Sequence, residues 1–199
     1  MPVWGWVLIA VAAVVFVALI VMRLTAKRRT SELQEQFGPE YDRTVDQSKN
    51  RREAESQLAA RAERREQLDI RPLSAAACER YEAQWSKIQA QFVDSPQAAV
   101  AAGDSLIQDV MRDRGYPVQD FDQRAEDVSV DHPQVVENYR KGHELAVASA
   151  NGNGSTEDLR KAMRHYRALF SELLRPAEDD PTTSDREQVE TTTNDRVAR

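Results

Sequence analysis

Three histidines are the side chains of this sequence best suited to bind a metal ion, but their spacing argues against it. His132 and His143 are eleven residues apart, so on one helix they would share a face yet lie about 16 Å apart along its axis. His165 belongs to a later segment. No Cys or carboxylate at ligand spacing completes a zinc site with them. We therefore predict no metal site and no cofactor, with the histidines beside a helical core.

The acidic stretch from Asp120 to Asp131 has twelve residues, which is the length of an EF-hand calcium loop. Arg124 would place a cation at a ligand position, and Ala125 replaces the glycine that the turn requires. This motif is therefore rejected as a calcium site. We expect a solvated acidic loop, within an irregular stretch over 115–132 that holds one short helix near 121–126.

Catalytic motifs are absent from the rest of the sequence. Cys78 and the serines have no activating context, and there is no G-x-S-x-G, P-loop or G-x-G-x-x-G pattern. The NGNGS segment at 151–155 lacks the preceding strand and the following lysine of a phosphate loop. The sequence therefore predicts no enzyme activity.

An unbroken apolar run over residues 3–22, without a charged side chain, organises the chain. About 20 residues at 1.5 Å each span the roughly 30 Å hydrocarbon core of a bilayer. Residues 1–29 are thus predicted to be a transmembrane anchor with a basic juxtamembrane cluster. The membrane-anchoring residues at its two ends are Trp4, Trp6, Arg23, Lys27, Arg28 and Arg29.

The same basic cluster predicts the orientation of the anchor. No basic side chain precedes the apolar run, so the positive-inside rule places the amino terminus outside and the remaining chain in the cytoplasm. A cleaved signal peptide is the alternative, but this run lacks a basic n-region and is longer than the usual apolar core. We predict a single-pass protein of the cell membrane.

The composition limits the partners of the region after the anchor. The net charge is −6, and no basic stripe follows Arg29, which argues against binding to nucleic acid. Residues 30–175 suffice for one compact cytoplasmic domain. The segment 176–199 has no aromatic residue and no hydrophobic period, so we predict a disordered acidic tail.

The hydrophobic period is helical throughout, and no segment alternates as a strand does. The anchor helix is expected to continue to Gly38, and a second helix to run from Pro39 to about residue 68. Further helices are expected at 75–93, at 96–114, after Pro133 and after the capping residue Ser155. The predicted fold is all-α, an N-terminal transmembrane helix followed by a small antiparallel helical bundle.

Several of these segments resemble a known family. They are FGPEYDR at 37–43, IRPLS at 70–74, RGYP at 114–117, VDHP at 130–133 and HYRALFSELL at 165–174. Over residues 37–174 the chain resembles a family of uncharacterised bacterial single-pass membrane-anchored helical proteins. The resemblance supports the domain boundaries and implies no catalytic residue, because no activity is assigned to that family.

These observations favour a protein-interaction or adaptor module at the inner face of the membrane, with the bilayer and an unknown protein as partners. Anchoring would act by raising the local concentration near membrane partners. The candidate partner-binding residues are Tyr116, Val118 and Phe121, because long connections are disproportionately functional. Alternatively, these side chains close the end of the bundle.

A small-molecule sensor or binding bundle is the alternative function. Its ligand would lie between helices near Trp85, Tyr139, His143 and Tyr166. A pocket with convergent polar groups would favour this alternative, whereas a packed core with a large apolar surface patch would favour the interaction module.

Overall fold

A computed structural model of the protein describes residues 3–175, and for most of the segment 3–26 it describes the backbone alone. Regular structure in these residues is helical, without a strand, which confirms the all-α prediction. The eight helices are α1 (Val3–Phe37), α2 (Pro39–Gln47), α3 (Arg51–Glu66), α4 (Ala75–Gln91), α5 (Pro96–Arg114), α6 (Phe121–Asp131), α7 (Val136–Ala150) and α8 (Thr156–Leu173). They fall into two compact units, one ending at Ala59 and the other beginning at Ala60.

Helix α1 continues without a break from the apolar run through the basic cluster to Phe37, as predicted. Among the side chains that the structure describes, no helix is both long enough and apolar enough to cross a membrane.

The predicted single helix from Pro39 to residue 68 is wrong, because the chain breaks between Gln47 and Arg51. The side chain of Asn50 accepts a hydrogen bond from the backbone N–H of Glu53 at 3.0 Å, as an N-cap residue does. The surrounding sequence, DQSKNRRE, is wholly polar, so it has no apolar face whose burial would oppose the break.

Within the first unit, a single carboxylate accepts hydrogen bonds from all of the helical segments. Glu55 on α3 accepts from Thr30 of α1 at 2.8 Å, from Tyr41 of α2 at 3.0 Å and from Arg51 at 3.1 Å. One side chain thus links all three helical segments of this unit.

The second unit is a helical bundle in which α8 packs against α5 and α7, α4 against α5, and α6 against α7. Because α4–α5 and α7–α8 are joined by short turns, each pair forms an antiparallel hairpin. Trp85 of α4 stacks on Phe170 of α8, with 4.7 Å between ring centroids. The largest fully buried side chains of this bundle are Ile107, Met111, Tyr139, Tyr166, Leu169 and Leu173.

The ends of these helices follow the local sequence signals. Gly115 ends α5 with φ 100°, and a Cβ there would lie 2.2 Å from the carbonyl oxygen of Asp69, so the position requires glycine. Ser155 and Asp158 form the predicted capping box at the start of α8, each accepting the other's backbone N–H at 3.1 Å.

The helix predicted near 121–126 exists and begins at Phe121, but it is longer than predicted: α6 occupies Phe121–Asp131, so most of the stretch 115–132 is not irregular. Asp120 caps this helix by accepting a hydrogen bond from the backbone N–H of Gln123 at 3.0 Å. An Asp followed by a helix-forming segment is an N-terminal signal, and here it outweighs the high charge of the segment.

The acidic side chains of α6 are not a solvated surface, and that prediction is also wrong. Three arginines on the part of α3 after Ala59 pair with them, namely Arg61 with Glu126, Arg64 with Glu126 and Asp127, and Arg65 with Asp131. The N–O distances lie between 2.6 and 3.1 Å, and Asp127 is fully buried. These ion pairs join α3 to α6 within the second unit.

Candidate functional site

A cavity of about 280 Å³ lies between α5, α7 and α8 of the second unit. Two helices supply their residues with the same i, i+3, i+4, i+7 spacing, which places four side chains on one helix face. From α5 these are Gln97, Val100, Ala101 and Asp104, and from α7 they are His143, Ala146, Val147 and Ala150. Ser149, Leu159 and Tyr166 complete the lining, and the exposed side chains of Gln97, Ala101 and Val147 mark its open side.

The space exists because small side chains face it. Ala101, Ala146 and Ala150 end at Cβ, so they cannot fill the gap between the helices. Tyr166 is held close to α7 because Gly142 has no Cβ; a Cβ there would lie 2.7 Å from two ring carbons of the tyrosine. The tyrosine hydroxyl is thereby fixed at the cavity.

Three polar atoms of the lining are buried and make no hydrogen bond with the described residues: Asp104 Oδ1, Ser149 Oγ and Tyr166 Oη. Tyr166 is fully buried and Ser149 is 2 % exposed. A buried polar atom without a partner costs about 1–3 kcal/mol, so such atoms are rare in proteins. Three of them around one cavity give it polar groups that a molecule inside it, water included, can contact.

Asp104 gives the cavity its charge. Its Oδ2 accepts a hydrogen bond from Gln108 at 2.6 Å, which leaves Oδ1 as the free acceptor. Burial, and after it the negative charge of Asp104, raise the pKa of Tyr166, and a weak hydrogen-bond interaction of the Tyr166 hydroxyl with the Asp104 carboxylate adds to this shift. Burial and the charge of Asp104 also raise the pKa of Tyr139 to about 12. Both phenols are therefore neutral hydroxyls near pH 7.

His143 contributes a neutral ring to the site. Burial lowers its pKa, and the nearby charge of Arg124 lowers it further, against the opposing effect of Asp104. The imidazole lies flat on the ring of Phe121, with 3.6 Å between centroids and 13° between the planes. His143 thus forms part of the aromatic wall and carries no charge near pH 7.

Arg124 is a cation whose charge acts on this cluster, and two of its donors bond to residues outside the cavity lining. Its Nε donates to Tyr139 at 3.1 Å and its Nη1 donates to the carbonyl oxygen of Val118 at 2.8 Å. Within residues 3–175 no ion pair joins Arg124 to Asp104. The Asp104 carboxylate therefore faces the cavity without a directly bonded counter-ion.

The candidate partner-binding residues lie mainly inside the bundle. Tyr116 is 2 % exposed, and its hydroxyl donates to Asp131 at 2.5 Å. Val118 is half-buried, and Phe121 packs between the rings of His143 and Tyr139. This placement agrees with the alternative in which these side chains close the end of the bundle.

Of the four aromatic residues expected around a ligand, two line the cavity, His143 and Tyr166. Tyr139 lies behind them, 6.2 Å from Tyr166 between ring centroids. Trp85 lies elsewhere, stacked on Phe170.

The remaining polar residues of the cavity, Gln97, Asp104 and Ser149, were not predicted from the sequence. The signal was present in the repeated spacing of small residues at 97–104 and 143–150, but each pattern alone is typical of ordinary helix packing.

The remaining predicted positions are distributed as follows. In the first unit Trp4 is 82 % exposed, and Arg23, Lys27, Arg28 and Arg29 are exposed; the side chain of Trp6 and the whole tail 176–199 lie outside the described residues. His132 contacts Glu172 at 3.4 Å, and His165 lies 2.9 Å from Asn138. In the described part of the chain, no three His, Cys, Asp or Glu side chains are grouped as metal ligands would be.

Comparisons of the chain with protein-family models, with curated proteins and with solved structures find no match. The fold and site define a small helical bundle with a mainly apolar cavity between three helices, into which a few polar groups project.

Proposed function

We propose that this protein is a membrane-tethered helical domain that binds a small molecule in the cavity between α5, α7 and α8. The observation that carries the proposal is the group of three unpartnered buried oxygens, on Asp104, Ser149 and Tyr166. Ligand sites typically combine apolar walls with a few polar groups that fix the orientation of the ligand. Here Val100, Leu159 and neighbouring alanines would supply the apolar walls.

The tether in this proposal is the apolar run at residues 3–22. Its support is the absence of charge, the tryptophans at one end and the basic cluster at the other. Large apolar side chains on α1 are also exposed, including Phe16 at 64 % and Met22 at 65 %, as side chains that face lipid would be. The bundle would then lie at the cytoplasmic face of the cell membrane.

Filling the cavity tests the ligand-binding function. Full-length protein in lipid nanodiscs would be screened by thermal shift against small organic molecules of about ten non-hydrogen atoms, since 280 Å³ holds about nine waters at liquid density. Ala146→Leu places a larger side chain in the cavity and should abolish any ligand-induced stabilisation. Ala83→Leu, at an exposed position of α4, is the matched control and should retain it. Stabilisation that survives Ala146→Leu would contradict the cavity as the site.

Protease accessibility tests the tether and its orientation. Protease added to intact spheroplasts should leave the bundle whole and should degrade it only after lysis. Cleavage before lysis would reverse the orientation, and recovery of the protein without membranes would remove the tether from the proposal.

A protein-interaction or adaptor module is the second candidate. It is favoured by the exposed apolar side chains of α1, which could meet a partner helix instead of lipid. It ranks second because, among residues 30–175, the large exposed hydrophobic side chains are the isolated Val93 and Val147, which form no apolar patch. A photo-crosslinker placed at Phe16 would give a protein adduct of discrete mass under this function and lipid adducts alone under the first.

A further inference from the structure

We propose that the molecule bound in the cavity is a small protonated amine with a short apolar body, for which Asp104 is the counter-ion. This inference rests on the proposed ligand-binding function and names the chemical class of its ligand.

The first argument is the state of the Asp104 carboxylate. Gln108 satisfies Oδ2, whereas Oδ1 is buried at the cavity and makes no well-formed hydrogen bond; the Tyr166 hydroxyl interacts with this carboxylate only weakly. A carboxylate removed from water needs a cation or several donors to offset the lost hydration. Hydrogen bonds between ionised groups are roughly twice as strong as neutral ones, so an ammonium group is the partner that satisfies this oxygen best.

The second argument is the kind of atom that surrounds this carboxylate. All three unpartnered atoms are oxygens that can accept a hydrogen bond, on Asp104, Ser149 and Tyr166. A primary ammonium has three donors and no acceptor, which complements this set. An anionic ligand would meet the repulsion of Asp104 and would gain no compensating charge from His143, which is neutral near pH 7.

The third argument is the position of Arg124, the described cation whose charge acts on this cluster. Arg124 donates to Tyr139 and to the backbone of Val118, and neither residue lines the cavity. Its charge reduces the field of Asp104 at the site, and its two hydrogen bonds go to residues outside the cavity lining. The position facing Oδ1 is therefore open to a cation from outside the protein.

The size and walls of the cavity limit the body of the amine. A volume of about 280 Å³ corresponds to roughly nine waters, which suits a ligand of about eight to ten non-hydrogen atoms. Val100, Ala146 and Leu159 offer apolar contact to a compact body, and the Tyr166 ring offers an aromatic face to the cationic end. The site is thus too small for a long polyamine to lie within it.

Three probes of matched shape test the inference, namely benzylamine, benzyl alcohol and benzoate, which differ mainly in charge. Binding of each to full-length protein in nanodiscs would be measured by equilibrium dialysis against empty nanodiscs, at neutral pH. We expect saturable binding of benzylamine, at least about tenfold tighter than benzyl alcohol, since a charged hydrogen bond exceeds a neutral one. Benzoate should not bind.

Substitutions locate the interaction within the cavity. Asp104→Asn keeps the shape and removes the charge, so it should weaken benzylamine binding at least about tenfold. Asp109→Asn, on the same helix at an exposed position, is the matched control and should leave binding unchanged. If Asp104→Asn does not fold, Ser149→Ala gives a second measurement, with an expected loss of several-fold in benzylamine affinity.

The outcomes separate this inference from the proposed function. Equal binding of benzyl alcohol and benzylamine, lost together in Ala146→Leu, would overturn the amine and leave the cavity as a ligand site. Unchanged benzylamine binding in Asp104→Asn would also overturn it. If none of the three probes binds, the inference that the ligand is an amine is wrong. The thermal-shift screen that compares wild type with Ala146→Leu then decides separately whether the cavity binds any small molecule.

Discussion

Gly142 lies against the ring of Tyr166, and this close contact sets how near α7 and α8 approach. A Cβ at position 142 would lie 2.7 Å from both Cδ1 and Cε1 of the tyrosine, closer than packed carbon atoms can be. The tyrosine is fully buried, so its ring has little freedom to move away.

We therefore expect Gly142→Ala to destabilise the protein by about 1–3 kcal/mol, as overpacking does in well-packed cores. Gly103→Ala is the matched control, because Gly103 is also a buried glycine in a helix but its nearest neighbour would be 3.6 Å from the new Cβ. This control should be neutral or more stable by about 0.5–1 kcal/mol, since alanine favours the helix. Chemical denaturation followed by far-UV circular dichroism measures both. Equal effects of the two substitutions would contradict the close contact.

The role of Phe121 can be decided by truncation. Phe121→Ala should lower the free energy of unfolding by about 2–3 kcal/mol, somewhat below the 3–5 typical of fully buried phenylalanines, because the ring is half-buried against His143 and Tyr139. Val93→Ala, at a residue 84 % exposed, should change it by less than about 0.5 kcal/mol. If Phe121→Ala leaves stability unchanged and removes a protein partner, the surface-anchor prediction for this residue is correct instead.

Removing the hydroxyl from each of two tyrosines in the same core should have different effects on the free energy of unfolding. Tyr166→Phe removes a buried hydroxyl that makes no well-formed hydrogen bond and interacts only weakly with Asp104, so stability should be unchanged or higher in the absence of ligand. Tyr139→Phe removes the acceptor of Arg124 Nε and leaves a buried charged donor unpaired, which should cost about 1–3 kcal/mol. Thermal and chemical denaturation without added ligand measure the difference. A larger loss for Tyr166→Phe than for Tyr139→Phe would mean that the Tyr166 hydroxyl has a partner in the protein.

The pH dependence of stability should contain two opposite contributions from aspartates. Burial raises the pKa of Asp127, although Gln123 and Arg64 oppose the shift, so the folded state binds its proton more tightly than the unfolded state does. The stability contributed by this group therefore falls as pH rises from about 4 to its folded pKa. Hydrogen bonds from Ser155 lower the pKa of Asp158 to about 2, so its contribution is present above about pH 4 and is lost as pH falls through 2.

Asparagine variants at the two positions test these signs. Denaturation at a series of pH values measures both contributions to the free energy of unfolding. The contribution of Asp127 falls as pH rises above about 4, and Asp127→Asn should remove this fall. The contribution of Asp158 rises with pH below about 4, and Asp158→Asn should remove this rise. Identical pH profiles for wild type and Asp127→Asn would show that this carboxyl has the same pKa in both states.

Sequence signals that act within a few residues were sufficient to predict some of the helix ends. Gly115 ends α5 and the Ser155–Asp158 pair begins α8, because each satisfies backbone groups next to it in the chain. The environment of the acidic segment 120–131 was predicted wrongly, because it depends on residues that are far away in the sequence. Arg64 and Arg65 precede their partners on α6 by 62 to 66 residues, and no local pattern reveals such a pairing.

The cavity shows the same limit of sequence reasoning. His143 and Tyr166 were anticipated as ligand neighbours because aromatic and titratable side chains are recognisable in a sequence. Asp104 resembles any polar residue on a helix, and only the packing of three helices shows that its Oδ1 is buried without a donor. Empty space is a property of all the neighbouring side chains together, so it has no sequence motif.

The arginine–carboxylate pairs between α3 and α6 also fix the longitudinal register of the two helices. A slip of one helical turn moves side chains by about 5.4 Å, which would separate Arg61, Arg64 and Arg65 from their partners simultaneously. Asp127 would then be left buried without its arginine. The three arginines together therefore oppose sliding of this part of α3 along α6, because one movement breaks all of these ion pairs.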